Sequence, residues 1–300
     1  MHASGPDHDN FDQVSVSCLV DELTIDLARH LEHVGFRRLW VGGSPGGDLA
    51  EIEAVLAATN DLSVATGVVN IWTDDATEAA QAFHRIDDSH PGRLLLGIGA
   101  GHHELNGADS VRPYDALQRY LDSLAAAQVA PSRTVLAALG PRVLRLAAER
   151  TLGAYTNMTT SEYTATVRTI LGPGAVLALQ RRVVLNTDPY RAREIARSHI
   201  LGPLNLTNYR RHVLRQGFVA DEFAAGHDNN LIDRLVAHGE SDAIAQQLKA
   251  HLDAGADQVV IQLKSCTDTD QSEQFAELAE AVRRLNLGLS SGISPGWSFE

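Results

Sequence analysis

Few residues in this chain have the types and spacing to do chemistry by themselves. His102-His103-Glu104 is the most metal-like cluster. Adjacent histidines point in different directions, however, and the later apolar segments end without further histidines to complete a ligand set. No metal is therefore expected, and His102 reads instead as a group able to exchange a proton near neutral pH. The run Ala137-Ala138-Leu139-Gly140-Pro141-Arg142 carries a second kind of chemistry. A glycine just before a helix start exposes backbone amides, and the helix dipole attracts an anion. With Arg142 in the first turn, this stretch is expected to hold a phosphate. No pair of acids is placed for glycoside hydrolysis, and no Ser-His-Asp nucleophile motif is visible.

The elements that must position these residues follow from residues 62–103. An apolar run stops at Gly67-Val68-Val69-Asn70, an alanine-rich helix follows, and Leu94-Leu95-Leu96-Gly97-Ile98-Gly99 forms the next run. The connection is too long for a hairpin, so the two strands are parallel, and their nearly unbroken apolar character suits strands covered on both faces. The alternation extends along the chain. Strands are expected at 14–19, 38–41, 63–71, 94–99, 134–138, 154–157, 176–185 and 258–263, with helices between them. Eight strands alternating with helices is the count for a (β/α)8 TIM barrel, one α/β domain over residues 14–287. A doubly wound open sheet would favour a glycine fingerprint on the first strand-helix turn, and none stands there. Residues 202–239 break the alternation and read as an insertion before the last strand, near the site or at an oligomer interface. Residues 1–13 and 288–300 read as flexible tails.

Composition narrows the partners. The chain has 300 residues and a formal net charge of −13, which argues against nucleic acid or an anionic membrane as the main partner. Its apolar runs fall far short of the roughly 20 residues that span a bilayer, and no signal peptide is visible. The two cysteines, Cys18 and Cys266, form neither a disulfide framework nor a metal-spaced group, consistent with a cytoplasmic location.

In a barrel the chemistry sits where strands end. Those positions are Gly42 to Ser44, Gly67 to Asn70, Gly99 to His103, Leu139-Gly140, Asn157-Met158, Asn186-Thr187, and Gln262 with Lys264. The set is rich in glycine and neutral amides and poor in carboxylates. Trp40 and Trp72 stand near strand ends too, but an aromatic on a barrel strand is more often core than ligand contact.

Several of these stretches together resemble the luciferase-like flavin and deazaflavin oxidoreductases. They are Gly67-Val68-Val69-Asn70-Ile71-Trp72, His90-Pro91-Gly92-Arg93 leading into Leu96-Gly97-Ile98-Gly99, Ala138-Leu139-Gly140-Pro141-Arg142, residues 235–239, and residues 251–259. The likeness is strongest to the coenzyme F-420-dependent branch. It implies a flavin-like ring at the C-terminal face of the barrel, supported by a bulge with a non-prolyl cis peptide at Gly67-Val68. Asn70 and the Gly99 to His102 strand end would face the deazaflavin, so Gly67, Val68, Asn70 and Gly101 are expected cofactor contacts. Leu139 and Gly140, with Arg142, would take the phosphate tail, and Arg145 and Arg182 could also offset its charge. The sequence departs from the family at one place. Many deazaflavin dehydrogenases carry an Asp-His pair just after strand two, where this chain has Gly43-Ser44. An acidic residue is also common where His102 stands. Ser44 as a hydrogen-bond donor and His102 as a proton exchanger are the catalytic candidates that remain.

The resemblance implies an oxidoreductase that moves a hydride between coenzyme F-420 and a small-molecule substrate, working as a homodimer. The alternatives on the same barrel are an FMN-dependent monooxygenase and a flavin-binding protein without turnover.

Overall fold

The computed structural model describes residues 12–107, 112–224, 229–265 and 271–289. Most of the expected N-terminal and C-terminal tails, and Cys266, lie outside them. Ten strands form one parallel sheet: β1 Val14–Leu19, β2 Arg38–Gly42, β3 Ser63–Thr66, β4 Val69–Asn70, β5 Leu94–Gly99, β6 Thr134–Ala137, β7 Gly153–Asn157, β8 Val176–Leu185, β9 Val236–Gly239 and β10 Gln258–Leu263. The sheet closes because β10 pairs with β1 on one side and with β8 on the other. The result is a closed eight-stranded barrel in which β3 and β4 are two halves of one staved position and β9 extends the far end of β8.

The expected third strand, 63–71, divides at Gly67-Val68, whose peptide bond is cis. β3 ends at Thr66 and pairing to β5 resumes at Val69↔Ile98. Across this break the Thr66 hydroxyl donates to the Gly97 carbonyl and accepts from the Gly97 amide, both at 2.7 Å. Gly97 permits that approach, since a Cβ there would lie 1.9 Å from the Thr66 carbonyl oxygen.

Alternation along the strands sends one set of side chains inward and the other toward the helices. Trp40, Ala65, Leu95, Val135, Tyr155, Ala178 and Val260 make the interior layer, one from each of seven strands. Trp40 stacks on Tyr155 with centroids 4.3 Å apart, and its indole N–H donates to Gln258 Oε1 at 2.9 Å. β1 supplies serines to the interior, Ser15 and Ser17, and turns Val14, Val16 and Cys18 outward into the strand-helix core.

The helices that pack outside the barrel are α1 Ile25–His33, α2 Ala50–Ala58, α3 Ala76–Ser89, a short α4 His103–Asn106, α5 Pro113–Ala126, α6 Pro141–Arg150, α7 Ser161–Leu171, α8 Pro189–Leu204, α12 Ser241–Asp253 and α13 Ser272–Arg284, while residues 202–239 contain the end of α8, then α9 Thr207–Arg215, α10 Ala220–Ala224, α11 Asn229–Leu235 and β9. Side-chain caps start several of the helices. The Asp75 carboxylate accepts from the amides of Thr77 and Glu78, and Asp188 does the same for Tyr190 and Arg191. No helix among the described residues is long and apolar enough to cross a membrane.

Candidate active site

A cavity of about 430 Å³ opens at the C-terminal mouth of the barrel. Its floor and walls come from the ends of β2 through β8, and α9 lies across it. Ser44, Gly67, Val68, Gly101, His102, Leu139, Gly140 and Arg142 all line this cavity. The sequence reading therefore names eight positions that one space brings together. Asn70, the ninth, does not line it. It is buried beside the cavity, where its side-chain N–H donates to Asn106 Oδ1 at 2.7 Å. Asn106 in turn donates to the Ala100 carbonyl at 2.8 Å, and so does the Trp72 indole N–H at 2.9 Å. Asn70 and Trp72 thus hold the β5 strand end in place. Gly101 sits at φ +54, in the left-handed region, and a Cβ there would meet Asn106 Nδ2 at 2.9 Å.

Trp40 is core, as its place on a barrel strand suggested, and the two arginines read as further charge partners of the tail, Arg182 and Arg145, fall outside the cavity lining. Trp40 is wholly buried in the barrel interior and forms core beneath the cavity. Arg182, read from sequence as a candidate for the surface, is buried on the inner face of β8 and donates to Asn157 Oδ1 at 3.1 Å. Arg145 stays exposed on α6, outside the cavity lining.

His102 is half-buried and its ring lies against Tyr209, centroids 4.6 Å apart. Burial pushes its pKa below the ordinary histidine value, with Glu104 pulling weakly the other way. The imidazole is therefore neutral at pH 7. Its Nδ1 has no hydrogen-bond partner among the described residues. His103 and Glu104 do not join it. Glu104 is exposed, and hydrogen bonds from the Thr207 hydroxyl and then from its amide, at 2.8 Å, drop its pKa to about 2. No group of three His, Cys, Asp or Glu among the described residues is arranged to hold a metal ion.

Residues the sequence reading missed come from α9: Asn208, Arg211 and Arg215 line the cavity, beside Tyr209. Arg215 reaches the β6–α6 turn and donates to the Leu139 carbonyl at 3.5 Å, and its guanidinium nitrogens lie 3.9 Å from where a Gly140 Cβ would stand. Arg142, on the other side of that turn, stacks on Tyr114 with its guanidinium carbon 4.1 Å from the ring centroid. No side chain caps α6. The turn at its start, Gly140, and the arginines Arg142, Arg211 and Arg215 line the cavity. No carboxylate lines it among the described residues. The signal for the α9 arginines was present only as an Arg-rich amphipathic segment, Arg210 to Arg215, whose partner could not be read.

α9 is fastened across the mouth at three strand ends. Glu104 receives its first amide, as above. His212, wholly buried, uses one ring nitrogen on the Leu139 carbonyl at 2.9 Å and the other on the Thr159 hydroxyl at 3.0 Å. Gln216 donates to the Met158 carbonyl and accepts from the Thr160 amide, each at 2.8 Å.

A barrel whose third strand breaks at a non-prolyl cis peptide under such a cavity can now be set beside known proteins. Residues 22–128 match the family model of the luciferase-like monooxygenases. The resemblance to the luciferase-like superfamily holds. No curated protein matches the chain in sequence. Solved structures share its fold at low identity. An F-420-dependent secondary alcohol dehydrogenase in complex with an F-420–acetone adduct superposes with TM-score 0.72 at 14% identity, over 91% of this chain and 99% of its own. The coenzyme F-420-dependent tetrahydromethanopterin reductase from Methanopyrus kandleri gives TM-score 0.68 at 15% identity, over 91% and 99%. The oxygenating constituent of 3,6-diketocamphane monooxygenase from Pseudomonas putida, in complex with FMN, gives TM-score 0.64 at 13% identity, over 93% and 98%. Identities this low show a shared fold alone.

Proposed function

We propose that this chain is a coenzyme F-420-dependent oxidoreductase acting on a small organic substrate. The observation that carries the reading is the chemistry of the cavity. Part of the lining is small and apolar (Val68, Ala100, Ala138), and Arg142, Arg211 and Arg215 line the same space beside the uncapped start of α6. These residues fit a flat ring with an anionic tail. Three arginines exceed what a single phosphate needs, and suit the longer polyanionic tail of F-420 better than the shorter tail of FMN.

When bound, the coenzyme supplies a hydride donor or acceptor at its ring. The protein's own task is to place a substrate carbon against that ring and exclude water. Gly67, Val68 and Gly101 would hold the ring, the glycines allowing close approach to backbone. Leu139 and Gly140 offer backbone to the tail, with the arginines as charge partners. His102, neutral and lining the cavity, takes or returns the proton that accompanies hydride transfer. Ser44 donates a hydrogen bond from the β2 end. Asn70 acts indirectly, through Asn106 and the Ala100 carbonyl. We extend the proposal to a cytoplasmic homodimer, which sedimentation velocity on the purified chain would read.

The test is a titration followed by tryptophan fluorescence, since Trp40 lies under the cavity and Trp72 braces its edge. Micromolar quenching by oxidised F-420, with little response to FMN, is expected. Tighter binding of FMN would replace this reading with a monooxygenase or flavin reductase. Silence from both would remove the oxidoreductase reading.

A further inference from the structure

Beside the cofactor cavity, the inner face of the barrel carries a second concentration of positive charge. Gln180 and Arg182 alternate inward on β8, above the interior Ala178, and Arg182 is opposite Gln262 in register. Lys264 follows two residues after Gln262 and is tied to the same strand, its amide donating to the Val183 carbonyl at 2.8 Å. Arg182 and Lys264 therefore stand on adjacent strands and face the same way. Both are only 8% exposed.

Neither charge is well matched. Arg182 donates to a neutral carboxamide, Asn157, and no carboxylate pairs with it among the described residues. Lys264 has a single carboxylate, Glu22, at 3.6 Å, and that carboxylate is itself 45% exposed and already accepts from the Leu19 amide. His199 on α8 bonds to the Ser265 backbone within electrostatic reach of both cations, and burial lowers its pKa. A buried cation without a carboxylate, as Arg182 is among the described residues, is costly unless something anionic completes it. Tyr155, Asn157, Gln180 and Tyr209 connect this cluster to the cofactor cavity: all four line that cavity, and Asn157 bonds to Arg182, Gln180 and Tyr209.

We propose that Arg182 and Lys264 form the anion-recognition site for the substrate, which is a carboxylate-bearing molecule whose charged end lies at the β8 and β10 strand ends and whose reacting carbon points into the cofactor cavity. The inference rests on the proposed oxidoreductase reading for calling the anion a substrate; the binding site itself does not. The bidentate fork of Arg182 and the point charge of Lys264 suit two oxygens of one carboxylate. Tyr155 and Tyr209 provide aromatic and hydroxyl surface next to it.

Benzoate, with isosteric neutral benzamide as its control, tests this by calorimetric titration of the full-length chain. Wild type is expected to bind benzoate at least tenfold more tightly than benzamide. R182Q and K264Q, checked for fold by circular dichroism, are each expected to reduce that preference to near unity while still binding coenzyme in the fluorescence titration. R215Q is expected to weaken coenzyme and keep the benzoate preference. Equal binding of the two probes by wild type, no benzoate binding, or a preference lost in R215Q but retained in R182Q and K264Q would overturn the assignment. Because the benzoate titration is run without coenzyme, its result is independent of whether F-420 binds.

Discussion

Arg215 shows how a single side chain decides what the cavity accepts. It is exposed at the tip of α9, yet it reaches across to the β6–α6 turn, where Arg142 already stands. A hydrogen bond to a charged group is worth roughly 1.5–3 kcal/mol, and about 1.4 kcal/mol is tenfold in affinity. R215A is therefore expected to weaken coenzyme binding by about tenfold or more, read by the same fluorescence titration, with an effect that shrinks as salt is added. An unchanged dissociation constant would take Arg215 out of the tail site. His102 carries a second expectation. Burial holds its pKa below the ordinary value, so the neutral, proton-accepting form persists into mildly acid solution. If it exchanges the proton, kcat/KM falls only below that depressed pKa, and H102N loses this limb of the pH profile together with most of its rate. A pH profile identical in H102N would assign the limb to another group.

At the scale of elements, the informative piece is α9, because three strand ends hold it over the site. His212 is the least exposed of those ties, and burial lowers its pKa to about 4. In the unfolded chain the imidazole titrates near its usual value of about 6.5. The folded state thus favours the neutral ring, and the stability it confers is fully present above that value. Between roughly pH 6.5 and 4 the unfolded chain takes up the proton first, so stability falls with pH, by on the order of a few kcal/mol in total. His251, buried against the Thr164 hydroxyl at 2.9 Å, shifts in the same direction. Urea unfolding at pH 7 and pH 5 is expected to show wild type losing stability, with H212Q starting less stable at pH 7 and losing less on acidification. A parallel fall in both proteins would place the acid sensitivity elsewhere.

For the molecule as a whole, the barrel interior sets the ground on which the cavity rests. Trp40 fills the layer directly under it and satisfies its indole N–H on Gln258, a residue of the closing strand β10. Replacing a buried aromatic of this size with alanine costs about 3–5 kcal/mol. W40A is expected to lower the urea midpoint by a corresponding amount and to widen the space under Val68, loosening coenzyme as well. A near-normal midpoint would mean that the interior layer repacks without it. The molecule also combines a net charge of −13 with a cavity lined by arginine and no acid among the described residues. Anionic ligands are repelled at long range and attracted only locally, so moderate salt should raise the association rate of coenzyme while also raising its dissociation rate.

The sequence by itself determined the barrel. Strands at 94–99, 176–185 and 258–263 and helices at 141–150 and 161–171 lie where their apolar runs and caps put them, because periodicity and helix-start chemistry are local properties. It also placed the strand ends, and with them Ser44, Gly67, Val68, Gly101, His102, Leu139, Gly140 and Arg142. The His90-Pro91-Gly92-Arg93 motif, by contrast, proved to be scaffold: Arg93 donates to the Leu62 carbonyl and the Thr59 hydroxyl before β3 and β5 begin, far from the mouth. What only the tertiary structure decided is how charge is distributed around the site. Arg182 is inward because β8 turns its even-numbered residues to the barrel interior, and Arg211 and Arg215 reach the cavity because α9 lies across three loops distant in sequence. The bonds that fasten α9 join residues 53 to 103 apart in the chain, and no local pattern in either partner encodes them.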